Sequence, residues 1–226
     1  ARTVINELLA EQYDNAFKAK EAGRPVGWST SVFPQELAEA FDLCLLYPEN
    51  HAAGVAAKKE SLELCELAEE KGYSMDLCAY ARTNFGLLIK GHSDALPMPT
   101  PDFLCCCNNI CNEVIKWYEH ISRELDIPLI MVDTAYNNEN MATENRIKYL
   151  RGQFEEAISQ LEVISGKKFD PKKLEEVMEI SAENGRLWKY SMSLPSNSYP
   201  SPMNGFDLFS YMAVIVCARG KKETTE

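Results

Sequence analysis

Apolar residues recur at helical spacing from the start of the chain. Val4, Ile5, Leu8, Leu9, Tyr13 and Phe17 fall on one side of a helix over residues 3–21. Gly23, Pro25 and Gly27 end it. The pattern then shortens. Residues 26–30, 43–47 (LCLLY), 103–107 (FLCCC) and 127–132 (IPLIMV) are compact apolar runs of strand length, each leading into a polar turn. Helical patterns lie between them. One starts at Pro34, with proline in its first turn. A second covers residues 52–71, a third follows Ser74 as N-cap, and a fourth opens at Cys111 and carries Val114, Ile115, Trp117 and Tyr118. Strand, helix and strand at this spacing make βαβ units. An α/β fold is therefore expected, a parallel sheet flanked by helices in the Rossmann-like manner.

From Thr143 the rhythm changes. Residues 143–164 read as one long helix, Ile164-Ser165-Gly166 stops it, and Asp170-Pro171 starts another running to about Tyr190, so the two form an antiparallel hairpin. Residues 191–202 (SMSLPSNSYPSP) make a long loop, followed by a helix from about Asp207 to Cys217. Residues 218–226 resemble a hinge into a further helix. The expected division is an α/β domain over 1–140 and a helical segment over 141–226. That segment would lead to a second α/β domain absent from this chain, which is read as a fragment.

Composition narrows the function. Hydrophobic residues make up 46% and charged residues 25%, as in ordinary globular proteins. A formal net charge of −11 argues against nucleic acid or an anionic membrane as partner, since both call for a basic face. No apolar run approaches the roughly 20 residues of a membrane span. The N-terminal stretch lacks the apolar centre of a signal peptide, so a cytoplasmic location is expected. There is no dinucleotide or phosphate-loop glycine fingerprint, no HExxH motif, and no G-x-S-x-G setting around Ser29 or Ser31.

Four residues stand out against this background. Ser31 lies in the loop before the helix that starts at Pro34; it reads either as a capping serine or as a hydroxyl able to bind an oxygen atom. Glu49 follows the strand 43–47, at the edge where open α/β sheets gather ligand-binding groups, and reads either as that or as part of a solvated turn. Cys78 and Cys111 each fall at a helix start after a loop, where backbone N–H groups and the helix dipole favour an anionic ligand. They are two of eight cysteines, whose irregular spacing is unlike a disulfide framework. Cys105, Cys106 and Cys107 alternate faces on a strand and read as packing, as does Cys65 in its helix. Thiolates from separate loops can hold an iron–sulfur cluster, but two cysteines do not complete such a site.

The stretches GWSTSVFPQELAEAFDLCLLYPEN, YSMDLCAYARTNFG and CNNICNEVIKWYEHISRELDIPLIMVD resemble the 2-hydroxyacyl-CoA dehydratases, and most of all their alpha subunits. The likeness continues through SAENGRLWKYSMSLP to the last residue. It implies a lyase: the iron–sulfur subunit of an oxygen-sensitive (R)-2-hydroxyacyl-CoA dehydratase. In that family one-electron reduction of the thioester gives a ketyl radical that expels the neighbouring hydroxyl and yields an enoyl-CoA. By the same resemblance Cys78 and Cys111 match two of three cysteine ligands of a [4Fe–4S] cluster, and the third is not in this chain. Ser31 and Glu49 match residues that contact the substrate hydroxyl and assist its loss. The implied partners are a homologous beta subunit in a heterodimer, an ATP-dependent iron–sulfur activator protein and a 2-hydroxyacyl-CoA substrate. Two alternatives accompany this reading, a benzoyl-CoA reductase-type subunit and a non-catalytic electron-relay subunit.

Overall fold

The four apolar runs pair into one parallel sheet. In the computed structural model, which describes residues 2–138 and 140–226, the strands are β1 (Val26–Ser29), β2 (Cys44–Leu46), β3 (Phe103–Cys107) and β4 (Leu129–Val132). Their order is β2-β1-β3-β4, with every pairing parallel. Such a sheet is covered on both faces, which is why its strands are continuously apolar rather than alternating. The expected α/β architecture is the one observed.

The side chains of β3 sort into two layers. Leu104 and Cys106 point into a core shared with α1 (Arg2–Glu21), α4 (Ser61–Glu70), α5 (Ala79–Lys90) and α6 (Asn112–Leu125), centred on Trp28, Phe85, Trp117 and Tyr118. Phe103, Cys105 and Cys107 point the other way. There they meet Phe33, Leu37 of α2 (Gln35–Ala40), and Ala157 and Leu161 of α7 (Glu144–Ser165). All three consecutive cysteines are buried core residues, as their period-two placement predicts. Gly27 on β1 is required by this packing, because a Cβ there would lie 2.5 Å from the Phe103 ring.

The helical hairpin is α7 and α8 (Pro171–Ser193), with Gly166 at φ 67° ending α7 and the Asp170 side chain capping α8. Lys167, between them, bonds the Phe41 carbonyl at 3.2 Å and Asp42 at 2.7 Å, which anchors the hairpin to the turn after α2. The final helix, α9 (Gly205–Cys217), starts two residues before the expected Asp207. A capping box between Asn204 and Asp207 sets that start.

Three expectations are corrected. Residues 52–71 are two helices, α3 (Pro48–Ala57) and α4, because Lys59 adopts a left-handed conformation (φ 67°) that breaks the ladder. Ser74 caps only a local turn, accepting from the Asp76 N–H; α5 begins five residues later with Cys78 itself at the N-cap. The hairpin's second helix runs past Tyr190 to Ser193 and passes into a 3-10 turn over Leu194–Asn197, so the expected loop is partly helical. No helix among the described residues is long and apolar enough to cross a membrane.

Candidate functional site

In strand order β2-β1-β3-β4 the chain steps from β1 to β2 on one side, then crosses back past β1 to β3 on the other. The crevice beyond the carboxyl ends of β1 and β3 is therefore the topological switch point, where open α/β sheets bind ligands. Ser31 follows β1, Glu49 follows β2, and Cys111 follows β3. Crossover topology alone brings these three loops to one edge.

Ser31 is not a helix cap. The N-cap of α2 is Pro34, and it has no side-chain hydrogen bond. Ser31 instead turns its backbone N–H toward the Glu49 carboxylate, with Oε1 at 3.2 Å. Nor is Glu49 in a solvated turn. It lies in the first turn of α3, half-buried, with Pro48 at the helix start. Its Oε2 accepts from the Tyr118 hydroxyl at 3.5 Å, and Tyr118 is fully buried on α6.

Burial pushes the Glu49 carboxyl above the usual glutamate range, and the hydrogen bonds from its own backbone, Ser31 and Tyr118 offset this only in part. The burial cost is the largest influence on it. The thiols of Cys106, Cys107 and Cys217 are each pushed up by burial, with the Glu49 charge adding to the effect. The site thus contains a carboxyl whose charged form is disfavoured chiefly by burial. That environment keeps a proton available closer to neutrality than an exposed glutamate would.

Cys78 and Cys111 behave differently from the other cysteines. Each is the N-cap of its helix, α5 and α6 respectively, and both are exposed. Of the remaining six, Cys44 is half-buried and five are buried. The two helix starts are fastened together. The Cys78 N–H donates to Glu113 Oε1 at 2.6 Å, in the first turn of α6, and the Trp117 indole N–H donates to Asn84 of α5 at 2.9 Å in the core. Cys106 on β3 lies within electrostatic reach of both Glu49 and Cys111, so the two groups share this edge of the sheet. Soft thiolates from adjoining loops suit an iron–sulfur centre. Among the described residues no three His, Cys, Asp or Glu side chains gather into a complete metal set. Cys78 and Cys111 could supply two thiolates to such a centre.

The family described as "2-hydroxyglutaryl-CoA dehydratase, D-component" matches residues 30–226. The chain belongs to that family. It is 81% identical over all its 226 residues to the (R)-2-hydroxyisocaproyl-CoA dehydratase alpha subunit of Clostridioides difficile. It is 51% identical over the same span to the (R)-phenyllactyl-CoA dehydratase alpha subunit of Clostridium sporogenes. A third relative is the lactoyl-CoA dehydratase subunit alpha of Anaerotignum propionicum, 42% identical over 97% of the chain. The chain spans 55% of the length of each of these relatives.

Within this D-component chain the structure adds two residues to those singled out by sequence. Tyr118 reads as a core aromatic on the apolar face of α6, yet its hydroxyl ends on Glu49. A buried tyrosine oxygen needs a partner, and that is the signal by which it was detectable. Arg219 lies in what the sequence suggests is a hinge. Its guanidinium reaches the carbonyls of Ser31 at 3.4 Å and Phe33 at 3.2 Å. No local pattern announces a contact that spans 188 positions of sequence.

Proposed function

We propose that this chain is the substrate- and cluster-binding part of the alpha subunit of an (R)-2-hydroxyacyl-CoA dehydratase, a lyase that eliminates water to give an enoyl-CoA. The observation that carries the proposal is the Ser31–Glu49 contact at the switch point, beside two exposed helix-start thiols. Glu49 is half-buried with a raised proton affinity. A carboxyl in this state can hand a proton to a departing hydroxyl and carry a proton away afterwards. Ser31 supplies a hydroxyl at the same spot to hold the leaving oxygen, while its N–H keeps Glu49 oriented. Tyr118 steadies the second carboxylate oxygen from the core side.

Cys78 and Cys111 would hold a [4Fe–4S] cluster together with a cysteine from outside this chain. When bound, the cluster supplies an electron and a Lewis-acidic iron, the two things a ketyl-radical elimination requires. The naming of the relatives as alpha subunits supports a homologous beta subunit as partner. The reading also includes an ATP-dependent iron–sulfur activator as electron source. The high identity to a 2-hydroxyisocaproyl-CoA enzyme favours a branched aliphatic acyl group over an aromatic one.

The test uses the full-length heterodimer, prepared anaerobically and assayed for iron, sulfide and turnover of 2-hydroxyisocaproyl-CoA. Cys78→Ala and Cys111→Ala should each lose iron and turnover, whereas Cys105→Ala should keep its iron. Full turnover in Cys111→Ala would sink the assignment. Reduction of benzoyl-CoA in place of dehydration would reassign the reaction, and normal turnover in Glu49→Gln would point to an electron-relay subunit.

A further inference from the structure

The end of α9 and the residues after it are fastened to the site side of the sheet by several side-chain bonds. The Gln35 side chain donates to the Val216 carbonyl at 2.9 Å and accepts from the Arg219 N–H at 3.1 Å. The Gln12 amide bridges the carbonyls of Leu45 and Cys217, each at 3.1 Å. Asn50, next to Glu49, donates to the Cys217 sulfur at 2.8 Å. Arg219 makes the largest set of bonds. Besides the Ser31 and Phe33 carbonyls, its guanidinium bonds the Ile215 carbonyl at 3.2 Å and pairs with Glu36 at 3.2 Å. Glu36 is in turn held by the Ser181 hydroxyl of α8 at 2.6 Å.

One end of this strap therefore grips the Ser31 turn and the other grips the helix that carries Glu49. We propose that Arg219 is a positioning residue that sets the distance between Ser31 and Glu49, making the Val216–Gly220 strap part of the site although it touches neither reacting group's side chain. The role assigned to the Ser31–Glu49 pair rests on the dehydratase reading above. The geometric role of Arg219 does not.

The physical argument concerns the two carbonyls. The Ser31 turn is held at its start by the Thr30 N–H on the Cys105 carbonyl at 2.9 Å, and it closes through the Phe33 N–H on the Thr30 carbonyl at 3.2 Å. Its own outward carbonyls, Ser31 and Phe33, accept from the guanidinium. A planar fork with several donors in fixed directions can hold two carbonyls and a carboxylate at once, and an ammonium cannot. Without the fork the turn is free to rotate, and the Ser31 N–H leaves Glu49. That N–H stabilises the charged carboxylate, so its loss moves the Glu49 titration to higher pH. The other ionisable groups facing Glu49 are Tyr118 from α6, Cys106 and Cys107 from β3, and Cys217 from the strap. Arg219 itself brings a positive charge to this region and acts on Cys217, and Arg219→Lys keeps that charge, so it separates loss of the fork from loss of the charge.

The experiment compares Arg219→Gln and Arg219→Lys with the parent in the full-length heterodimer. The Glu49 carboxyl is followed by infrared titration, its band assigned by its disappearance in Glu49→Gln, and kcat and KM are measured alongside. Arg219→Gln should move the Glu49 midpoint to higher pH and lower kcat by about tenfold to a hundredfold, with KM changed far less. Arg219→Lys should fall between, since it keeps the Glu36 pair but not the fork. If Arg219→Gln does not fold, the lysine variant decides by the same midpoint. An unmoved midpoint, with activity lost only in proportion to unfolded protein, overturns the proposal. The infrared readout needs no turnover. A shifted midpoint in protein without dehydratase activity upholds the positioning role while removing the reaction, and an unshifted midpoint in active protein does the reverse.

Discussion

Gly86, in the middle of α5, gives the sharpest test of how the site is built. A Cβ at this position would lie 1.9 Å from the Leu64 carbonyl oxygen and 2.7 Å from the Leu64 Cα. Ordinary contact begins near 3.4 Å, so Gly86→Ala leaves a shortfall of about 1.5 Å. The obstacle is backbone of α4, which cannot rotate aside as a side chain would. The helices must separate, loosening the buried layer of Leu64, Ala68, Phe85 and Leu87. Overpacking of this kind costs about 3 kcal/mol. Replacing a mid-helix glycine by alanine returns about 1 kcal/mol through propensity, leaving a net loss of about 2 kcal/mol. Gly152 in α7 and Gly185 in α8 provide internal controls. They also sit within helices, but a Cβ there meets nothing within 4 Å. Gly152→Ala and Gly185→Ala should therefore stabilise by about 0.5–1 kcal/mol. The same chemical change thus carries opposite signs at different sites. Urea unfolding with unchanged m-value measures all three. A Gly86→Ala midpoint at or above the parent's would refute the claim that α4 and α5 meet backbone to backbone. Cys78 caps α5, so on the proposed cluster reading the variant should also retain less iron.

Two further outcomes follow from half-buried carboxylates. Glu60 accepts from Ser93 Oγ at 2.6 Å, the Ala95 N–H at 2.9 Å and the Asp94 N–H at 3.0 Å, and it pairs with Lys90 at 3.3 Å. Burial works against its charge, but these bonds win and hold it at about 2. Its stabilisation is therefore complete above the unfolded value of 4.5 and is lost as pH falls from there through about 2. Glu60→Gln should cost about 1–3 kcal/mol at neutral pH and flatten the acid limb of a pH–stability curve, and an unchanged limb would contradict this. Glu49 has the opposite sign. Its folded-state proton affinity is raised, so the folded protein binds more protons than the unfolded chain, and stability falls as pH rises from 4.5 through the folded value. Glu49→Gln should abolish that fall and lose turnover; thermal melts across pH that match the parent would show that the carboxyl is not desolvated.

Much of this protein was legible in its sequence because local rules govern those parts. Four apolar runs of strand length separated by helical patterns announce a parallel sheet, since only strands buried on both faces tolerate unbroken apolar composition. The strict alternation of a strand places Cys105 and Cys107 opposite Cys106 and consigns all three to packing. Cys78 and Cys111 are recognisable as helix-start thiols from the loops before them. Residues 52–71 misled for a local reason of a different kind: a left-handed Lys59 has no strong signature, because any non-glycine residue there is held by packing rather than by preference. The site itself was decided by tertiary structure. Whether Ser31 caps a helix or faces a carboxylate depends on which strand lies beside β1, and that neighbour comes from crossover topology. Glu49 reads as a solvated turn until Tyr118, 69 positions away, covers it. Arg219 is the extreme case. A guanidinium at the end of the described helices acquires meaning only when folding lays its carbonyl partners within reach, and no periodicity in the chain encodes that distance.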